Sequence, residues 1–141
     1  MSRKLLSILL VVIFLFAVTV PAFAQEGGGG EIIDRVLERG KVVCGGRTDL
    51  AGFGMLDEDG NNMGFDIDLC RAVAAAVLGD PEAVEIVPLT AADRGPALQT
   101  AEVDLLSRNV TWTASRDSQW GNFTTVMFYD GQGFMIREDS G

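Results

Sequence analysis

The sequence predicts an α/β fold, a mostly parallel sheet with helices on its faces, from three observations. Short apolar runs alternate with stretches of helical periodicity, an order that calls for crossover connections and hence parallel strands. The strongest helical stretch carries start and stop signals at both ends. Polar and basic residues gather just after the apolar runs, where open α/β sheets keep their ligand sites.

Glu31 to Arg39 predicts a short helix with Ile32, Ile33, Val36 and Leu37 on one face and Gly40 as its stop. Lys41 to Cys44 predicts a strand that runs into a Gly45-Gly46 loop. Phe53 to Leu56 and Met63 to Phe65 flank Asp57-Glu58-Asp59-Gly60-Asn61-Asn62, a hairpin signal. That acidic turn lacks the later glutamate and the spaced oxygens of a calcium loop and is expected to be solvated. Asp66 to Leu78 is the clearest helix, with Asp66 as its cap, Gly79 and Pro81 as its end, and Ile67, Cys70, Ala74 and Val77 on one stripe. Val84 to Leu89 reads as a strand. Asp93 to Thr100 reads as a helix that tolerates Gly95-Pro96 only in its first turn. Val103 to Leu106 is a further strand, entering the polar stretch Ser107 to Thr113, and two short strands are expected near Thr124 to Phe128 and Gly133 to Arg137.

The chain has 141 residues, room for one small domain or part of a larger one. Its 11 Lys and Arg face 20 Asp and Glu, a net charge of −9 that argues against a nucleic-acid partner. With no histidine, the common zinc sites and any Ser-His-Asp or Cys-His pair cannot be built from this chain alone. No metal and no cofactor are called for.

Arg3 and Lys4 precede the apolar run Leu5 to Val20, which Pro21 breaks before Ala22-Phe23-Ala24. This is the pattern of an export leader, residues 1–24, cut after Ala24. The 16-residue run would rise only about 24 Å as a helix, short of the roughly 30 Å of a bilayer core. Removing the leader leaves nine basic residues against 20 acidic ones, an acidic secreted protein. Residues 25–30, with four consecutive glycines, predict a flexible spacer. Export places Cys44 and Cys70 where a disulfide can persist. A strand end and the helix that covers it make a bridge sterically reasonable, and two buried thiols are the alternative.

Three segments follow predicted strand ends. Gly45 to Phe53 carries Arg47 and Asp49, Thr90 to Arg94 carries Thr90 and Arg94, and Ser107 to Arg116 carries Arg108, Asn109, Thr111 and Arg116. Four of the nine basic residues left after export therefore converge on one sheet edge of an acidic protein. A guanidinium offers a planar fork of donors matched to a carboxylate, while hydroxyls and amides fill the remaining lone pairs. Phe53 sits where a ligand would enter. Gly45-Gly46 has neither spacing of the glycine-rich phosphate loops.

Three stretches carry a resemblance. Gly64-Phe65-Asp66-Ile67-Asp68-Leu69-Cys70-Arg71-Ala72-Val73, then Ala101 to Thr113 (AEVDLLSRNVTWT), then Tyr129-Asp130-Gly131-Gln132-Gly133-Phe134 resemble the extracellular solute-binding proteins of polar amino-acid ABC transporters, in particular their general L-amino-acid-binding subgroup. The resemblance runs from about Gly40 to Arg137. It implies a type II periplasmic-binding-protein fold of two α/β lobes joined by hinge strands. Such a receptor works as a monomer in the periplasm, closing on a free L-amino acid and delivering it to a membrane permease.

Members are well over twice this length, so residues 31–141 are expected to be an incomplete first lobe, an N-terminal fragment without the second. By resemblance, Arg116 holds the ligand α-carboxylate, and Asn109 and Thr111 bind its main-chain groups. Arg47 and Arg94 stand where acidic-amino-acid binders carry arginines, which would favour glutamate or aspartate. Leu50 replaces a common aromatic. The acid that binds the ligand ammonium belongs to the second lobe.

Binding without chemistry explains these features and implies no enzyme. Two other functions use the same fold. An exported dehydratase, of the kind that acts on cyclohexadienyl acids, would use Asp49 as acid or base. A sensor ectodomain would continue into a membrane segment.

Overall fold

One strand organises the fold. In the computed structural model, which describes residues 29–139, β1 (Val42–Gly46) is buried at every position. β5 (Val84–Pro88) pairs parallel along one side, from Val42 opposite Val84 to Gly46 opposite Pro88. β6 (Leu105–Leu106) pairs parallel along the other, with Cys44 opposite Leu105 and Gly45 opposite Leu106. The sheet order is β5-β1-β6. A second, antiparallel sheet joins β2 (Asp49–Leu50), β3 (Gly54–Leu56) and β4 (Asn62–Met63) around the acidic turn. Asp57 organises that turn by accepting from the backbone N–H groups of Asp59 and Asn61.

Alternation along β1 sends Val42 and Cys44 to one face and Val43 to the other. Val42 packs with Val36 of α1 (Gly29–Arg39) and Ala74 of α2 (Phe65–Leu78), supported by Val77, Leu78, Val84 and Leu105. Val43 packs with Val103 and with Ala97 of α3 (Arg94–Gln99), supported by Val87, Leu89 and Leu98. Helices therefore cover both faces of a parallel sheet, as the alternation of the sequence predicts. Each cluster is small. Together they bury only short aliphatic side chains, so links between the layers matter.

One such link is covalent. Cys44 and Cys70 form a disulfide that ties β1 to α2, with Cα atoms 6.1 Å apart and both residues fully buried. The bridge closes a loop of 26 residues, a constraint on the unfolded chain worth about 3 kcal/mol. The Cys44→Ala, Cys70→Ala double variant is expected to lose about that much stability in urea denaturation. An unchanged midpoint would refute the assignment.

The structure departs from the sequence reading at several points. The leader, residues 1–24, and residues 25–28 of the spacer lie outside the described residues, while Gly29 and Gly30 begin α1. On α1 only Val36 is buried, whereas Ile32, Ile33 and Leu37 are exposed. The reason is ionic: Arg35 and Arg39, one turn apart, both reach Asp104 beside the sheet, and this rotates the helix away from its most apolar face. Gly45 and Gly46 are strand residues rather than a loop. A side chain at Gly45 would meet Leu89 Cδ1 at 2.7 Å and Leu106 Cδ1 at 2.8 Å. Asp66 lies inside the first turn of α2 and does not cap it. Gly64 is the N-cap, and carbonyls of the hairpin take the cap's place: Phe65 N–H donates to Gly52 O and Asp66 N–H to Phe53 O.

The two strands expected after residue 123 are absent among the described residues. A strand is held by its ladder, and no neighbour pairs with this segment.

Candidate functional site

The three parallel strands all end at one edge, and each end delivers an arginine. Arg47 follows β1 directly. Arg94 opens α3, just beyond β5, and Arg108 lies two residues past β6. Arg116 comes from α4 (Ala114–Gln119), a helix the sequence reading did not foresee. Thr113 caps α4 by accepting from Arg116 N–H at 3.3 Å, which fixes where that side chain starts.

Two of these cations share one aromatic ring. The guanidinium carbon of Arg116 lies 5.2 Å from the centroid of Trp120, and that of Arg94 lies 5.5 Å from it. Cation–π attraction at these distances holds both groups against the indole despite their like charge. Trp120 sits close over Gly95, where an added Cβ would come within 2.7 Å of the ring. The Gly95-Pro96 pair thus stands in the first turn of α3, as expected, and its glycine makes room for the indole. Arg94 is buried and donates from Nη1 to the carbonyl of Asn109 at 3.3 Å, while its Nε has no partner. Burial, with Arg108 and Arg116 nearby, lowers its pKa from the usual arginine value. A guanidinium in such surroundings gains most from an incoming anion. Arg116 donates from Nη1 to the carbonyl of Thr111 at 2.8 Å.

The other two cations stand among carboxylates. Arg47 donates from Nε to Asp49 Oδ1 at 2.8 Å and from Nη1 to Asn109 Oδ1 at 2.9 Å. That pairing holds Asp49 below the usual carboxylate range. With its side chain 76% exposed, Asp49 is a poor proton donor at neutral pH. Arg108 donates to the carbonyl of Leu89 and keeps a buried Nε without a partner. Its pKa is lowered by burial and by Arg47, against the opposing influence of Asp49 and Asp66. Asp66 is only 7% exposed, and its Oδ2 has no partner. Burial pushes its pKa up, partly offset by Arg108 and Arg47. Ser107, also buried, donates to the carbonyl of Asp66 at 2.8 Å and so pins the start of α2 to the end of β6.

The edge therefore brings together Arg47, Asp49, Arg94, Arg108, Asn109, Thr111 and Arg116 of the residues singled out from sequence. Phe53 belongs to a separate aromatic group with Phe65 and Phe128, at centroid distances of 6.1 Å and 4.9 Å. Thr90 spends its hydroxyl on Asp93 at the start of α3. Two participants were undervalued by sequence reasoning. From sequence Trp120 can be a pocket-lining ring or packing, and its spacing of four from Arg116 places the two on one helical face. Asp66 was taken for a helix cap.

A family model for the bacterial extracellular solute-binding proteins, family 3, matches residues 42–141. The general L-amino acid-binding periplasmic protein AapJ of Rhizobium johnstonii is 45% identical over 139 residues, which cover 98% of this chain and 39% of AapJ. A periplasmic binding protein from Brucella ovis, solved with glutathione bound, superposes with a TM-score of 0.68 at 48% identity, over 72% of this chain and 32% of that one. The arginine-bound form of domain 1 from TmArgBP, of T. maritima, superposes with a TM-score of 0.54 at 33% identity, over 60% of this chain and 65% of that domain. The chain thus spans well under half the length of AapJ and of the Brucella ovis protein. It belongs to the family 3 extracellular solute-binding proteins, and its fold is part of the type II periplasmic-binding-protein fold.

Proposed function

We propose that this family 3 chain captures free L-amino acids outside the cytoplasmic membrane, as the binding component of an ABC transporter, and hands them to a membrane permease. The observation that carries this reading is the pair of guanidinium groups, Arg94 and Arg116, gathered on Trp120 at the edge where all three parallel strands end. An α-carboxylate is planar and singly charged, and it accepts from such a fork in pairs. Asn109 and Thr111 lie in the same loop and offer amide and hydroxyl groups to the ligand's main chain. Capture needs no nucleophile and no proton transfer, and Asp49, exposed and held ionised, is badly placed for the acid role of a dehydratase. The chain would work as a monomer in the periplasm after its leader is cut behind Ala24. The names of AapJ and of arginine-bound TmArgBP domain 1 support an amino-acid ligand, and the second also supports binding by a first lobe alone.

Calorimetric titration of the secreted chain with a panel of L-amino acids tests the proposal. Arg116→Ala removes one charge-assisted contact, worth about 1.5–3 kcal/mol, so affinity should fall roughly 10- to 100-fold. A variant that binds as tightly as the parent chain would remove Arg116 from the site.

A further inference from the structure

Asn109 joins two of the arginines at the sheet edge. Its main-chain carbonyl accepts from Arg94 Nη1 at 3.3 Å, and its side-chain Oδ1 accepts from Arg47 Nη1 at 2.9 Å. A guanidinium has donors only, so the amide atom turned to Arg47 is the oxygen. The other end of the amide is then Nδ2, which makes no hydrogen bond among the described residues, and Asn109 is exposed. Arg47 is itself fixed from a second side. Its Nε donates to Asp49 Oδ1 at 2.8 Å, and its side chain is only 17% exposed. The series Asp49, Arg47, Asn109 therefore decides which end of a solvent-facing amide is on offer. That amide stands next to Arg94, whose guanidinium shares Trp120 with Arg116.

Resting on the amino-acid reading above, we infer that Arg47 is a positioning residue, which turns the Asn109 amide so that its NH2 is the group offered to the ligand's α-carboxylate beside Arg94. A carboxylate has acceptors only, and an Asn109 turned the other way would set its carbonyl oxygen against it. Without Arg47 an exposed amide samples both orientations; the bond to Arg47 removes the repelling one before the ligand arrives. Arg47 then serves every L-amino acid alike, in place of the preference for glutamate or aspartate that its position suggests from sequence. The N–H groups that Arg47 keeps free adjoin the Asp49 carboxylate, whose charge offsets what a second ligand carboxylate would gain there.

The test is a double-mutant cycle, read by calorimetry with L-alanine and L-glutamate on the secreted chain. Asn109→Ala should weaken both ligands about tenfold, the loss of one hydrogen bond to a carboxylate. Arg47→Met should weaken both about fivefold and to the same extent. The double variant should bind within about twofold of Asn109→Ala, because Arg47 acts only through the amide that is gone. Arg47→Lys, which still offers a donor to Asn109 Oδ1, should recover most of the loss. Multiplying losses in the double variant, or a fall for glutamate at least tenfold beyond that for alanine in Arg47→Met, would place Arg47 on the ligand and overturn the inference. Unchanged affinity in Arg47→Met would overturn it as well. Asn109→Asp keeps the test open if Arg47→Met does not fold. It retains the acceptor for Arg47 and puts an anionic oxygen where the NH2 stood, so both ligands should weaken at least tenfold with the melting temperature within about 2 °C of the parent. Equal affinity in that variant would show that the NH2 does not face the ligand. Should the parent chain bind neither amino acid, amino-acid capture itself fails and the role of Arg47 falls with it.

Discussion

Replacing Asp104 with alanine should cost about 2–4 kcal/mol, about 1–3 kcal/mol for a buried N–H left without its acceptor and up to about 1 kcal/mol for the loss of two partly exposed ion pairs. The Asp104 side chain is only 3% exposed, yet it accepts from three donors: Arg35 Nη2 at 3.1 Å, Arg39 Nη2, and Val43 N–H at 2.8 Å. Its own N–H donates to Val43 O at 2.8 Å. One residue thus extends the pairing of β1 toward β6 and anchors α1, whose apolar residues other than Val36 are exposed. Alanine would leave the buried N–H of Val43 unpartnered and two half-buried guanidinium groups without their counter-charge. Since a domain of this size is stable by only about 5–15 kcal/mol, the loss should move the urea midpoint by more than 1 M. Asp104→Asn keeps one acceptor and should fall between the two. A midpoint within 0.3 M of the parent for Asp104→Ala would show that α1 is held by something else.

The parallel sheet was legible in the sequence because its signals are local. β1 and β5 are short β-branched runs, and α2 carries a stop glycine and an apolar stripe, so neither needed tertiary information. What escaped was set by contacts distant in the chain. Gly45 and Gly46 look like a loop in isolation and become strand residues because distant segments pair with them, Gly45 opposite Val87 and Leu106 and Gly46 opposite Pro88, while Leu89, Leu106 and Ile86 fill the space where side chains would stand. The orientation of α1 follows from Asp104, 65 and 69 residues away from the arginines it binds. The segment after residue 123 has strand composition, but composition supplies no hydrogen-bonding neighbour.

The site divided along the same line. That arginines would converge on the strand ends followed from the order of elements alone, since parallel strands share one carboxyl edge. How those arginines divide their charge did not follow. Arg47 and Arg94 look equivalent in sequence, yet one is paired with Asp49 and the other is stacked on Trp120. Asp66 illustrates the limit most clearly. An aspartate at a helix start ordinarily reads as a cap, and only the hairpin carbonyls of Gly52 and Phe53, by taking the N–H groups of Phe65 and Asp66, release its carboxylate from that task.

That release depends on one backbone position, and Gly64→Ala should be at least as damaging as the loss of Asp104. Gly64 has φ 119° and ψ 171°, a conformation essentially closed to residues with a Cβ. An added Cβ would also lie 2.4 Å from Phe53 O and 2.6 Å from Phe53 C, and these are main-chain atoms that no rotamer change can move aside. Strain of this kind costs about 1–3 kcal/mol. If the hairpin is pushed away, the hydrogen bonds from Phe65 N–H to Gly52 O and from Asp66 N–H to Phe53 O are lost as well, at about 1 kcal/mol each. The sum, roughly 3–5 kcal/mol, should lower the melting temperature by more than about 10 °C. Gly79→Ala separates the two contributions. Gly79 also has positive φ, 77°, but nothing lies within 4 Å of its added Cβ, so it registers conformational strain without collision. If the two substitutions lower the melting temperature equally, the close approach of the hairpin to α2 carries no weight; a clearly larger fall for Gly64→Ala is the expected result.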